Sequence, residues 1–125
     1  MQVVFHSRSY ADDGWLDAYA VDLVARDLRA SVRVENPGFG HPPTQLLQAL
    51  VPCWSGWEGK KSWYSMEGEL EIDATSDRTG HITLLVRIPG DSAVSWSALA
   101  RVVIEAGQLE AVAQAAEAFF AKRAA

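Results

Sequence analysis

The second half of the chain alternates apolar and polar residues over three successive stretches, and this pattern restricts the fold most. The stretches begin near Leu70, Ile82 and Trp96, with turn-forming segments at 76–80 and 89–91 between them. A period of two places successive side chains on opposite faces of a strand. Three such strands joined by short turns predict an antiparallel meander with one buried face. The even-numbered positions are expected to form that core face: Leu70, Ile72, Ala74, Ile82, Leu84, Val86, Ile88, Trp96, Ala98, Ala100, Val102 and Ile104.

The first half carries further strand patterns. Residues 3–5 are apolar and predict a short first strand, and residues 16–24 alternate imperfectly. Residues 28–35 alternate clearly, and the short gap before them predicts a hairpin. The run Asn36-Pro37-Gly38 is expected to end that strand, because proline lacks the backbone donor and glycine permits the turn.

Two amphipathic helices complete the prediction. The first is expected to start at Pro42-Pro43-Thr44 and to end at Pro52, and the second starts near Gly107-Gln108. The sequence therefore predicts an α+β fold in which a twisted antiparallel sheet of five to six strands carries both helices on one face. The length of 125 residues suits a single globular domain, residues 1–125.

Charge and cysteine content narrow the partners and the compartment. Sixteen acidic against eleven basic residues give a net charge of −5, which argues against nucleic acid as the direct ligand. No apolar run approaches the roughly 18 residues of a membrane span, so we expect no membrane partner. The single cysteine, Cys53, excludes an internal disulfide and favours the cytoplasm.

Residues capable of catalysis are scattered. His6, His41 and His81 fall in different predicted elements, without the spacing of a metal site, so we expect no metal and no cofactor. The run 56–62 resembles a phosphate-binding loop, but its glycines are wrongly spaced. Three acidic residues of one predicted strand, Glu69, Glu71 and Asp73, are interpreted as a surface answered by Arg87 and Arg101 rather than as a carboxylate site.

Three of the five tryptophans lie within residues 54–64, among glycines. Trp63 is placed in a strand and, like Trp96, is expected in the core. The remaining aromatic and charged residues of this segment resemble a protein-contact hot spot, which uses aromatic anchors beside a polar rim. The candidate partner-binding residues are therefore Trp54, Trp57, Glu58, Lys60 and Tyr64. The alternative interpretation is that the loop tryptophans close the core.

Several features recur in the order known from a family of small bacterial domains of unknown function. They are Gly56-Trp57-Glu58-Gly59, Trp63, Glu67-Gly68, Asp73, Asp77, Gly80-His81-Ile82, Trp96 and residues 105–109. The resemblance covers about the last two thirds of the chain. That family is in turn similar to the WapI-like immunity proteins, which neutralise contact-dependent toxins.

This resemblance implies a non-enzymatic binding domain and supplies no catalytic residues. The function hypothesis is a protein that binds another protein, such as a toxin domain, with self-association left open. The alternative is a small-molecule-binding or enzymatic domain with a pocket between the sheet and the tryptophan loop.

Overall fold

The computed structural model describes residues 1–37, 40–90 and 95–123, which form seven strands and two α-helices. The strands are β1 Gln2–Tyr10, β2 Leu16–Ala25, β3 Leu28–Glu35, β4 Lys61–Tyr64, β5 Glu71–Ser76, β6 His81–Ile88 and β7 Ala98–Glu105; the helices are α1 Thr44–Leu50 and α2 Leu109–Phe120. No helix among the described residues is long and apolar enough to cross a membrane. Two residues assigned to turns from the sequence, Gly38 and Asp91, lie outside the described residues.

The described strands form two antiparallel sheets, ordered β1-β2-β3 and β4-β5-β6-β7. The prediction of one sheet of five to six strands is therefore wrong, whereas the α+β class and the two helices are confirmed. The alternation of apolar and polar residues identifies the strands, and short turns indicate which neighbouring strands pair. Neither pattern indicates whether β3 pairs with β4. The connection between them contains α1 and the tryptophan loop, and it carries β4 into a separate sheet.

The predicted meander is confirmed in its register. Ile72 lies opposite Val86, which lies opposite Ala100, and all three are buried. Their neighbours Glu71 and Arg101 point to the other face, so the strands are not shifted by one residue. We call the face that carries Ile72 the inner face and the opposite one the outer face.

Two details of the strands differ from the prediction. Strand β1 extends well beyond residues 3–5. Its register shifts between His6 and Ser9, where Ser7 adopts a φ of 54°. This irregularity interrupts the alternation, so the sequence pattern did not reveal the second half of the strand. Trp96 is exposed, because β7 begins only at Ala98 and the alternation does not continue into the preceding loop.

Both sheets and both helices contribute to one hydrophobic core. Phe5 of β1 and Tyr19 of β2 pack against Phe119 and Phe120 of α2, with ring centroids 5.0–6.3 Å apart. Helix α1 ends at Leu50 and continues as a 3₁₀ turn over Val51–Cys53 that includes Pro52. The proline lacks the amide that a further α-helical turn needs, as the sequence predicted.

The two sheets are joined by a hydrogen bond to Glu69. Its carboxylate accepts the backbone N–H of Glu35, at the end of β3, at 2.7 Å, and the Ser65 hydroxyl at 2.8 Å. Glu69 therefore lies in the turn before β5, and the prediction that it shares a strand face with Glu71 and Asp73 is wrong.

Candidate binding surface

The outer face of the four-stranded sheet consists of side chains that point away from both helices. Cross-strand pairing sets them in rows, so that Tyr64, Glu71, Arg87 and Leu99 are neighbours across β4 to β7. The next rows are Ser62, Asp73, Leu85 and Arg101, and then Thr75, Thr83 and Val103. Strand pairing thus gathers residues from four separate segments onto one surface.

Apolar side chains on this outer face are unusually exposed for their size. Tyr64 is 54% exposed, Leu99 50% and Val103 54%. Large apolar side chains that remain in water on a sheet face are informative, because their burial against a partner is favourable. The outer face therefore has apolar side chains available for contact along both edges, at β4 and β7.

Three of the charged residues in these rows, Glu71, Arg87 and Asp73, have ion-pair partners. Arg87 donates to Glu71 at 3.2 Å, as the sequence predicted. Asp73 accepts the Ser62 hydroxyl at 2.5 Å, and the Lys60 ammonium lies 3.8 Å from its other oxygen. These interactions fix the positions of the charged groups, so the surface has an ordered polar pattern around its apolar side chains.

The five residues proposed from the sequence are not brought together at one place. Tyr64 lies on the outer face, and Lys60 reaches its edge through Asp73. Glu58 pairs with Arg78 at 2.8 Å, beside the turn between β5 and β6. The loop backbone also approaches Arg78 closely at Gly56. A Cβ at this position would lie 2.9 Å from the Arg78 side chain, and the φ of +123° also favours glycine.

The two loop tryptophans separate. Trp57 is partly buried against the core, and its indole N–H has no hydrogen-bond partner among the described residues. Trp54 follows the 3₁₀ turn, which contacts α2, and is 64% exposed. Trp54 therefore lies near the helices and not on the outer face of the four-stranded sheet. Trp63 is buried, as predicted, and its indole donates to the carbonyl of His41 at 2.9 Å.

Sequence reasoning missed Leu99 and Val103 as surface candidates. Their odd positions in β7 place them on the solvent side, where polar residues are the rule. The sequence feature that could have identified them is the presence of apolar residues at odd, solvent-side positions. These are Val103, directly after Val102, together with Leu85 and Leu99.

An apolar cavity of about 510 Å³ lies between the inner face of the four-stranded sheet, β1 and the two helices. None of its described lining residues belongs to the tryptophan loop, where the sequence placed a pocket. In the described part of the chain, no three His, Cys, Asp or Glu side chains lie close enough to hold a metal ion.

A buried carboxylate lies on the face of the three-stranded sheet that points away from the core. Asp22 accepts from Arg29 at 2.9 Å, and Nε2 of His6 lies 2.9 Å from its other oxygen. The two groups are close, but the ring N–H is not aligned for a linear hydrogen bond to that oxygen. The contact with His6, followed by the hydroxyl of Ser31, lowers the pKa of Asp22 to about 2. Asp22 therefore stays ionised near neutral pH.

Comparisons with known proteins give one match. A family model described as "Family of unknown function (DUF6228)" matches residues 1–123, which is more of the chain than the resemblance inferred from the sequence. None of the curated proteins matches the chain. None of the solved structures matches it.

Proposed function

Since the chain belongs to the DUF6228 family, whose function is unknown, we propose its function from its surface: it binds another protein through the outer face of the four-stranded sheet. The observation that supports this proposal most is the exposure of Tyr64, Leu99 and Val103 on a face that neither helix covers. Protein-binding surfaces combine apolar or aromatic anchors with a polar rim, and this face has both.

The charge pattern supports the same function. The ion pair between Arg87 and Glu71 lies between Tyr64 and Leu99, and the Asp73 cluster lies in the next row. Charges fixed in place favour one orientation of a partner and disfavour partners with like charges opposite them. In this proposal the apolar residues supply affinity and the paired charges supply specificity.

The finer form of the proposal is that the partner is a toxin domain, which the chain neutralises by covering its surface. Its support is indirect: residues 56–109 carry the resemblance to a bacterial family of unknown function, and that family is in turn similar to the WapI-like immunity proteins. Such a role needs no catalytic group on this chain, because occupation of the toxin's surface is sufficient.

Co-expression tests this function. The reading frame upstream of the gene is examined for a large secreted protein, and its C-terminal domain is expressed in bacteria with and without this chain. We expect that domain to arrest growth and the wild-type chain to restore it. A Leu99→Arg chain should fail to restore growth, whereas Leu28→Arg should succeed, because Leu28 is an exposed leucine of the other sheet.

Two results would count against the proposal. Rescue by the Leu99→Arg chain at the wild-type level would exclude the outer face as the site of neutralisation. Absence of rescue by the wild-type chain, with both proteins present at comparable levels, would exclude the toxin as its partner.

A further inference from the structure

We propose that the apolar cavity beneath the sheet binds the hydrocarbon chain of a small ligand, at a site separate from the outer face. The cavity has a volume of about 510 Å³ and is bounded by the inner face of the sheet, the start of β1, α1 and α2. Ligand sites for small molecules have volumes of roughly 300–1,000 Å³ and mostly apolar linings.

Incomplete burial of the inner face shows where this space lies. Ile82, Val86 and Ala100 are buried, whereas Leu84, Val102 and Ile104 beside them are only half-buried. These three line the cavity, together with Val112, Ala116 and Phe119 of α2. The apolar stripe of α2 therefore faces the sheet across a gap instead of packing tightly onto it, which is unusual for a protein interior.

The lining selects the chemical class of the ligand. Gln2 is the one residue with a polar side chain among the described lining residues, and none of them has a charged side chain. A polar group buried without a hydrogen-bond partner is unfavourable, so this lining disfavours sugars, nucleotides and free amino acids. At about 30 Å³ for a water-sized group, the space accommodates roughly seventeen methylene-sized groups.

The orientation of the ligand follows from the exposure of the lining. Among the lining residues, Met1 and Ala115 are exposed, whereas Leu47, Ile72 and Phe120 are buried. The mouth therefore lies between the start of β1 and α2, where a polar head group would remain in water. The hydrocarbon chain extends from there towards the core.

A fluorescence titration tests the proposal. N-phenyl-1-naphthylamine, a neutral apolar probe, is titrated into the full chain, and 1-dodecanol is then added as a competitor. We expect one probe per chain with micromolar affinity, displacement by 1-dodecanol, and no displacement by glucose. Dodecanoate distinguishes the head groups, because a lining without charged side chains predicts that it competes no better than the alcohol.

Matched variants locate the site. Ala116→Phe places a ring in the cavity and should weaken probe binding at least tenfold. Ala118→Phe, on the exposed side of the same helix, should leave the affinity within twofold of the wild type. If circular dichroism shows that Ala116→Phe is unfolded, the milder Val112→Leu takes its place, with an expected loss of at least threefold.

Absence of saturable probe binding by the wild-type chain would overturn the proposal. Equal affinity in the wild-type chain and the folded cavity variant would also overturn it, because the probe would then bind elsewhere.

Discussion

At the scale of single residues, the tryptophans differ in role according to their burial. Trp63 is 5% exposed and its indole is hydrogen-bonded, whereas Trp54 is 64% exposed. Trp63→Ala is expected to lower the free energy of unfolding by about 3–5 kcal/mol, as large-to-small core changes do. Trp54→Ala should change it by no more than about 0.5 kcal/mol, and the partly buried Trp57 should lie between them. Urea denaturation of the three variants measures these differences, and equal losses for Trp54→Ala and Trp63→Ala would contradict them.

Asp22 makes the stability of the fold dependent on acid pH. Its pKa is lowered from 3.8 to about 2, so the folded state favours the carboxylate. The contribution of Asp22 is therefore complete above pH 3.8, decreases as the pH falls, and is lost below about 2. Asp22→Asn should lower the melting temperature at pH 7, and the gap to the wild type should close between pH 4 and 2.

The same comparison separates Asp22 from Asp77. The backbone N–H of Thr79, followed by the contacts with the Thr79 side chain and His81, lowers the pKa of Asp77, which remains in both proteins and cancels in their difference. Melting temperatures measured across this pH range provide the test. A gap that stays constant down to pH 2 would mean that the ionised form of Asp22 does not stabilise the fold.

At the scale of elements, Glu69 connects the two sheets, because its carboxylate accepts from the end of β3 and from Ser65. Hydrogen bonds to a charged group contribute about 1.5–3 kcal/mol each, and exposure reduces this. We expect Glu69→Ala to lower the free energy of unfolding by about 1–3 kcal/mol. Glu67→Ala, at an exposed position of the same turn, is the control and should be neutral. Equal urea midpoints for the two variants would show that this connection contributes nothing.

The sequence predicted the elements better than their assembly. Strands β2, β3, β5 and β6, and both helices, follow from periodicity and from the prolines at 42, 43 and 52, because these signals are local. The division into two sheets could not be predicted, since it depends on where α1 directs β4. Trp96 was misplaced because alternation does not mark the residue at which a strand begins.

The candidate site was predicted only in part for a related reason. Tyr64 and Lys60 were identified because aromatic and charged residues concentrate in the tryptophan loop. Leu99 and Val103 join them only through pairing across β5 and β6. The cavity depends on the spacing between α2 and the sheet, which no local pattern encodes.

At the scale of the whole molecule, the two sheets and the helices leave two surfaces with different chemistry. The outer face has exposed apolar side chains among paired charges, and the cavity below the inner face is almost wholly apolar. The sheet separates these surfaces, so a substitution on one face need not alter the other. We propose that the protein partner binds the outer face and that the hydrocarbon ligand binds the cavity.

The dissociation constant of the partner complex, measured with matched leucine substitutions, tests the central claim most directly. The partner is recovered from the native lysate, identified and purified, and then titrated against the wild-type chain, Leu99→Arg and Leu28→Arg. Loss of an interface anchor costs about 2 kcal/mol or more, so Leu99→Arg should weaken binding by at least tenfold. Leu28→Arg should bind as the wild type does. Equal affinity of the wild-type and Leu99→Arg chains, or a larger loss with Leu28→Arg, would contradict the assignment of the outer face as the binding surface.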